Sequence, residues 1–272
     1  MEKQNDKEKG LKIEFKPFKT KSDIIVTIIM VPLLLGFFFS PKMYFVTTAE
    51  WTDWNETDKA NVTAAMCEDN TEERFRLYFQ YYNVLHELGH GLLRYNKGVD
   101  IHVVDEEQLV NDFAVAYWNY YGEPEKLEEL YDIVTYAVEN VGDNYENGVD
   151  YIALAKEHST QKRIKNEFFN FNDYGWFQFS SVKHSIEQDK SLEDVLTEMG
   201  FKDFKLTEKR LLEHKVIDEQ ESTLIINEAV ENFNEWGLYF PKAHQSFSGD
   251  PNMNYSKPSK NYFGIFSLID SK

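Results

Sequence analysis

The chain has 272 residues, enough for one large domain or two small ones with a core of ordinary size. Hydrophobic residues at 42% and aromatic residues at 15% exclude a disordered chain, although 28% of residues are charged. The formal net charge of -18, with no Lys/Arg-rich run, excludes nucleic acid as a partner, and the single cysteine, Cys67, leaves no disulfide framework and fits a reducing compartment.

The first ten residues are polar, and "LKIEFKPF" after them alternates enough for a strand. Residues 24 to 46, "IIVTIIMVPLLLGFFFSPKMYFV", admit two readings. The uninterrupted apolar part, residues 24 to 39, falls short of the roughly 20 residues of a bilayer crossing and contains Pro32 and Gly36. Its β-branched and aromatic content favours buried strands, with "IIVTIIMV" as one and "FFFSPKMYFVTT" as two more joined at Ser-Pro-Lys. The alternative is a membrane anchor. A secretory signal is disfavoured because no small-residue cleavage site closely follows Phe39. The sequons at Asn55, Asn61 and Asn254 would matter only in a secreted eukaryotic chain.

From residue 70 the period becomes helical. Asn70 or Thr71 can cap, Glu72 and Glu73 suit a positive helix end, and Phe75, Tyr78, Tyr82, Leu85, Gly89 and Leu92 recur on one face. This helix should end near Asn96-Lys97-Gly98. The extended piece "VDIHVV" leads to a second helix from Asp105 to a stop at Gly122, with Leu109, Val110, Phe113, Ala114 and Tyr117 on its face. Four further helices are expected in "PEKLEELYDIVTYAVENV", "DYGWFQFSSVKHSIEQ", "SLEDVLTEMG" and "STLIINEAVENFNEWG". Residues 237 to 272, carrying Pro241, Pro251 and Pro258, read as a loop-rich tail.

Within the first of these helices, "YYNVLHELGHGLLRYN" carries His86 and His90 four apart, with Glu87 between them. Residues i and i+4 share a helix face, so both imidazoles can aim at one point while Glu87 lies about 100° round toward the same cleft. A zinc site asks for this: two neutral imidazoles, a third protein ligand and a water, with Glu87 moving the water's proton. The bland alternative is a histidine pair without metal. Leu93 and Asn96 occupy the positions where a metzincin needs glycine and histidine, which excludes that type. In a gluzincin the third ligand is a glutamate on a downstream helix, usually followed four residues later by a supporting Asp or Asn. Glu107 and Asn111 in "EQLVNDFAVAYW" offer that pair.

Together, "HELGHGLL" and "EQLVNDFA" resemble the ImmA/IrrE-type small metallopeptidases, whose pattern is HELGH followed by E-x-x-A-N-x-F-A. The likeness covers residues 81 to 118, with Val110 in place of the usual alanine and Leu109 in place of a frequent glutamate. The resemblance implies a zinc-dependent endopeptidase of gluzincin type, intracellular in bacteria or their mobile elements and often acting on a regulatory protein. It assigns the metal to His86, His90 and Glu107, general acid/base duty to Glu87, and a supporting role to Asn111. The helical region after residue 122 has no counterpart in that pattern.

Asp105 and Glu106 could replace Glu107 in another helix register, although acidic residues in a first turn also simply suit the dipole. His102 is either a further metal candidate or an ordinary half-exposed histidine. Stabilising a tetrahedral oxyanion needs a donor, for which Tyr174, His184 and His244 are candidates. Trp176, Phe177 and Phe179 can line a peptide cleft or pack a helix on the core.

The expected architecture is α+β and zincin-like. A metallopeptidase core over residues 11 to 122 has a small N-terminal antiparallel sheet, whose edge strand could hold an extended substrate. A helical subdomain over residues 123 to 240 completes the cleft, and residues 241 to 272 form the tail. The expected function is hydrolysis of a peptide or protein by a cytoplasmic Zn2+ enzyme, with a regulatory protein as a further partner. The competing readings are a non-catalytic metal-binding or sensing module and a metallopeptidase anchored in a membrane through residues 24 to 46.

Overall fold

The computed structural model describes residues 43–67, 69–141, 145, 149–168, 171–208 and 217–247. The strands expected between residues 11 and 42, and the membrane alternative for most of residues 24 to 46, lie outside them. Among the described residues no helix is long and apolar enough to cross a membrane. The described chain is mostly helical with a little β-structure, an α+β arrangement.

In "MYFVTT" the alternation becomes strand β1, Met43–Thr48, with Tyr44, Val46 and Thr48 buried and Met43 and Phe45 exposed. Helix α1, Glu56–Met66, precedes the first expected helix and was not foreseen. Asn55 starts it, its Oδ1 accepting from the Thr57 amide at 2.9 Å, and Val62, Ala65 and Met66 are buried. The first expected helix is a single helical run in three parts: α2, Thr71–Arg76; a wide π-helical turn, Leu77–Tyr82; and α3, Asn83–Tyr95. Asn70 precedes the run with φ 58° and makes no capping side-chain bond.

Helix α4, Val103–Tyr121, begins two residues before the expected start because His102 caps it, its Nδ1 accepting from the Val104 amide at 3.2 Å. The capping role supplies a structural reason for His102. The next expected helix is α5, Pro124–Val141, opening on its proline. Two short features were not expected: α6, Tyr151–Glu157, and a hairpin of β2, Ser159–Thr160, and β3, Arg163–Ile164. A second π-helical turn, Phe171–Gly175, leads into α7, Trp176–Gln188. Helices α8, Leu192–Glu198, and α9, Glu219–Glu235, are capped by Ser191 and Asp218.

The tail expectation is corrected at its start, where Lys242–Phe247 forms strand β4. β4 lies parallel to β1, with Met43 opposite Lys242 and Val46 opposite Gln245. The antiparallel N-terminal sheet is therefore also corrected for its described part: β1 takes a parallel partner from the far end of the chain. A parallel partner cannot follow through a tight turn, so the intervening helices form the crossover. Gln245 ties β4 to its surroundings, its Nε2 donating to Thr48 Oγ1 at 3.0 Å and Ser222 Oγ at 2.6 Å.

The two helices that matter most, α3 and α4, pack closely at Gly89. A Cβ there would lie 3.0 Å from the Phe113 ring and 3.1 Å from Val110. Gly89 thus serves helix contact. Trp176, Phe177 and Phe179 are all buried in the aromatic core, which favours the packing role for this stretch.

Candidate metal centre

Helix α3 contributes His86 and His90, and α4 contributes Glu107. Their ligand atoms lie within 4.8 Å of one another, so this group can hold a metal ion. His86 Nε2 stands 3.4 Å from Glu107 Oε2, and His90 Nε2 stands 3.8 Å from Glu107 Oε1. Donors about 2.1 Å from a tetrahedral ion stand about 3.4 Å apart, so these spacings fit one. The imidazole rings meet edge to face, their centroids 5.0 Å apart at an interplanar angle of 81°.

The partners of the other ring nitrogens set the tautomers. His86 Nδ1 donates to Asn111 Oδ1 at 2.7 Å, and His90 Nδ1 donates to Glu106 Oε1 at 2.9 Å. Each Nδ1 therefore carries a proton. In the neutral ring that leaves the Nε2 lone pair for a metal. Asn111, fully buried, also accepts from the Tyr82 hydroxyl at 2.7 Å. Its Nδ2 donates to Gln178 Oε1 at 3.1 Å and Ser181 Oγ at 2.9 Å.

His86, Glu87 and Glu107 are buried and His90 partly so, and their charges act on one another. For Glu107, burial works to raise the pKa, but the His86 hydrogen bond, the charges of His90 and His86, and the Gln178 hydrogen bond bring it down to about 2. Burial works against a proton on His90. Its bond to Glu106 and the charges of Glu107, Glu87 and Glu106 outweigh that and raise its pKa to about 9. Glu87 is pushed up to about 8, first by burial and then by the Glu107 charge, against the lowering effects of His90 and Asn83. Its Oε1 is buried without a hydrogen-bond partner. The donor set of two imidazoles and a carboxylate fits a metal ion, and Glu87, next to His86 in the chain, keeps one carboxyl oxygen without a partner.

Not all the other candidates come together here. Asp105 pairs with Lys156 at 2.6 Å on a half-exposed surface. Glu106 supports His90 through Nδ1, a role in addition to suiting the helix dipole. Among the proposed oxyanion donors, Tyr174 is buried beside the centre, its hydroxyl 3.4 Å from Glu107 Oε2. Its pKa is raised well above that of a free phenol, chiefly by burial, so it keeps its proton. His184 is exposed beside the Tyr151 ring. His244 is exposed opposite Phe45, on the face of the strand pair turned away from Tyr44, whose hydroxyl bonds the Glu87 carbonyl.

Sequence reasoning missed Tyr82, Gln178 and the support that Glu106 gives His90. Gln178 Nε2 donates to Glu107 Oε2 at 2.8 Å and to the Tyr174 hydroxyl at 2.5 Å. The available signal was spacing: Tyr174, Gln178, Ser181 and Ser185 recur at helical intervals among apolar residues.

Comparison with known protein families, curated proteins and solved structures returns no match. The functional reading therefore stands on the residues and geometry of this centre.

Proposed function

We propose that the chain is a zinc-dependent endopeptidase of gluzincin type, with His86, His90 and Glu107 holding the metal and Glu87 acting as general acid/base. The reading includes a zincin-like arrangement of α3 and α4 and the relationship to ImmA/IrrE-type metallopeptidases suggested by the two motifs. The observation that carries it is Glu87: a buried carboxyl group with one oxygen unpartnered, adjacent in sequence to His86 and acted on by the charges of His90 and Glu107, two of the three converging ligands. A metal-binding module without catalysis has no need of that oxygen.

When bound, zinc supplies Lewis acidity, lowering the pKa of water and polarising the scissile carbonyl. The chain's residues handle the rest. In its ionised form, which its raised pKa makes the minority at neutral pH in the metal-free chain, Glu87 takes the proton of the attacking water at its free oxygen as the water oxygen bonds to the carbonyl carbon. It then returns that proton to the amide nitrogen as the C–N bond breaks, so the proton balance closes. Tyr174, kept protonated by burial, is the candidate donor to the oxyanion. Asn111 and Glu106 keep the two imidazoles presenting Nε2 throughout.

Glu87→Gln tests this proposal. The variant keeps the side chain's size and removes the base, so it should retain stoichiometric zinc and lose hydrolysis of a denatured protein substrate by at least about 100-fold. Unchanged hydrolysis would overturn Glu87 as the general acid/base and with it the proposed mechanism. No hydrolysis by the wild type, with biological activity intact in the variant, would favour a binding or sensing module.

A further inference from the structure

We infer that Gln178 is the positioning residue of this metal centre, coupling Glu107 to His86 through a single carboxamide. The inference rests on His86, His90 and Glu107 being a metal site, as proposed above.

Gln178 lies on α7 and is 6% exposed, yet the partners of its side chain all belong to the centre. Its Nε2 donates to the third ligand, Glu107, and to Tyr174. Its Oε1 accepts from Asn111, the residue that orients His86. These contacts close a ring: His86 Nδ1 to Asn111 Oδ1, Asn111 Nδ2 to Gln178 Oε1, Gln178 Nε2 to Glu107 Oε2, and Glu107 Oε2 back to within 3.4 Å of His86 Nε2.

The three hydrogen bonds that lead from His86 through Asn111 and Gln178 to Glu107 run in the same donor-to-acceptor direction. Turning over the Gln178 amide would set its oxygen against the Glu107 carboxylate and its NH2 against the Asn111 NH2. The electrostatics of the ring thus allow one orientation. That orientation holds the Glu107 carboxylate facing the metal position and keeps the Asn111 carbonyl on His86. A carboxylate ligand on a helix can rotate about its last torsion; here the bond from Gln178 restricts that rotation.

The local backbone explains how Gln178 gets there. The π-helical turn Phe171–Gly175 runs directly into α7, placing Tyr174 and Gln178 four residues apart on one face. Ser181 extends the face and meets the same Asn111 amide. The face lies against α4, where Glu107 and Asn111 are also four residues apart. Two helical stripes therefore meet residue for residue, with Gln178 between the two groups it bridges.

Two variants of the full chain test the inference. Gln178→Met keeps length and removes both hydrogen-bonding ends. Gln178→Glu keeps an acceptor for Asn111 but removes the donor to Glu107, so it remains informative if the methionine variant does not fold. Zinc affinity is measured by competition with a chromophoric chelator at fixed pH, and ligand geometry by the visible ligand-field spectrum of the cobalt(II)-substituted protein. Circular dichroism and thermal melting report folding. Each folded variant should bind zinc about 10- to 100-fold more weakly and show an altered cobalt spectrum. Affinity within about twofold of wild type with an unchanged spectrum in the folded variants overturns the role of Gln178. Wild type and Glu107→Ala are measured alongside. If wild type binds no zinc, or Glu107→Ala binds it equally well, the metal-site reading fails and carries this inference down with it. If only Gln178 is without effect, the metal site stands and this inference alone falls.

Discussion

Replacing Asn111 with alanine should both destabilise the metal-free protein and weaken its hold on zinc. Asn111 is fully buried and makes hydrogen bonds to Tyr82, His86, Gln178 and Ser181. Alanine would strand the Tyr82 hydroxyl, the His86 Nδ1 proton and Gln178 Oε1. Ser181 Oγ is less affected, because it also donates to Gln108 Oε1 at 2.7 Å. A buried polar group left without a partner costs about 1–3 kcal/mol, so three of them, partly re-paired, should cost about 3–6 kcal/mol. This is a large part of the 5–15 kcal/mol typical of a folded domain. Asn111→Asp separates the two effects: it keeps acceptors for His86 and Tyr82 but removes the donor to Gln178 and Ser181. Denaturant unfolding of chelator-treated protein measures stability without the contribution of bound metal. Alanine should lower the midpoint strongly and zinc affinity about 10- to 100-fold, while aspartate should cost stability but stay within about tenfold in zinc affinity. Equal zinc affinity in the two variants would refute the claim that the Asn111 carbonyl orients His86. A midpoint for alanine equal to wild type would refute the hydrogen-bond accounting.

Glu106→Ala should lower zinc affinity about tenfold by freeing the His90 ring, and unchanged chelator competition would remove Glu106 from the site. His90, whose pKa is raised from 6.5 to about 9 in the metal-free protein, holds a proton at pH 7, and at the proposed site zinc would have to displace it. Zinc affinity should therefore rise with pH and level off above about pH 9, and calorimetry in buffers of differing ionisation enthalpy that detects no proton release at pH 7 would contradict this. The sign for stability is opposite: the raised His90 value stabilises the metal-free fold fully below pH 6.5 and is lost as pH rises through about 9, so chemical denaturation should give a lower midpoint above that value than at pH 6.5. Gly91→Ala would put a Cβ 2.6 Å from the Phe240 ring and 3.2 Å from Tyr44; overpacking should cost about 1–3 kcal/mol, read as a lower melting temperature.

The parts of this protein that could be read from sequence are those specified over short chain distances. The 3–4 spacing in residues 124 to 141 fixes an amphipathic face within one segment, and α5 occupies those residues. His86 with His90, and Glu107 with Asn111, follow the same rule, since the four-residue interval alone sets each pair on one face. Strand β4 was not legible because "KAHQSF" has little strand character of its own, and its partner β1 lies at the other end of the described chain. Helix α1 was hidden by a weak apolar pattern that buries few residues. The spacing of Phe75, Tyr78, Tyr82 and Leu85 gives a helix but does not reveal a π-helical turn within it.

The supporting partners of the candidate metal centre required knowing that α7 lies against α4, yet part of that docking is written in residue type. Tyr174, Gln178, Ser181 and Ser185 are buried, and Trp176, Phe177 and Phe179 drive the same helix into the core. Burying such a polar stripe is costly unless every group finds a partner. Helix α4 presents the complement. Glu107 meets Gln178; Gln108 meets Ser181 and Ser185; Asn111 meets Gln178 and Ser181; and Asp112 accepts from Ser185 at 2.6 Å. Sliding α7 by one turn would move Gln178 away from Glu107 and leave buried donors and acceptors facing apolar groups. The polar stripe therefore fixes the register between the helices, and the same register sets the partners of the candidate ligands His86 and Glu107.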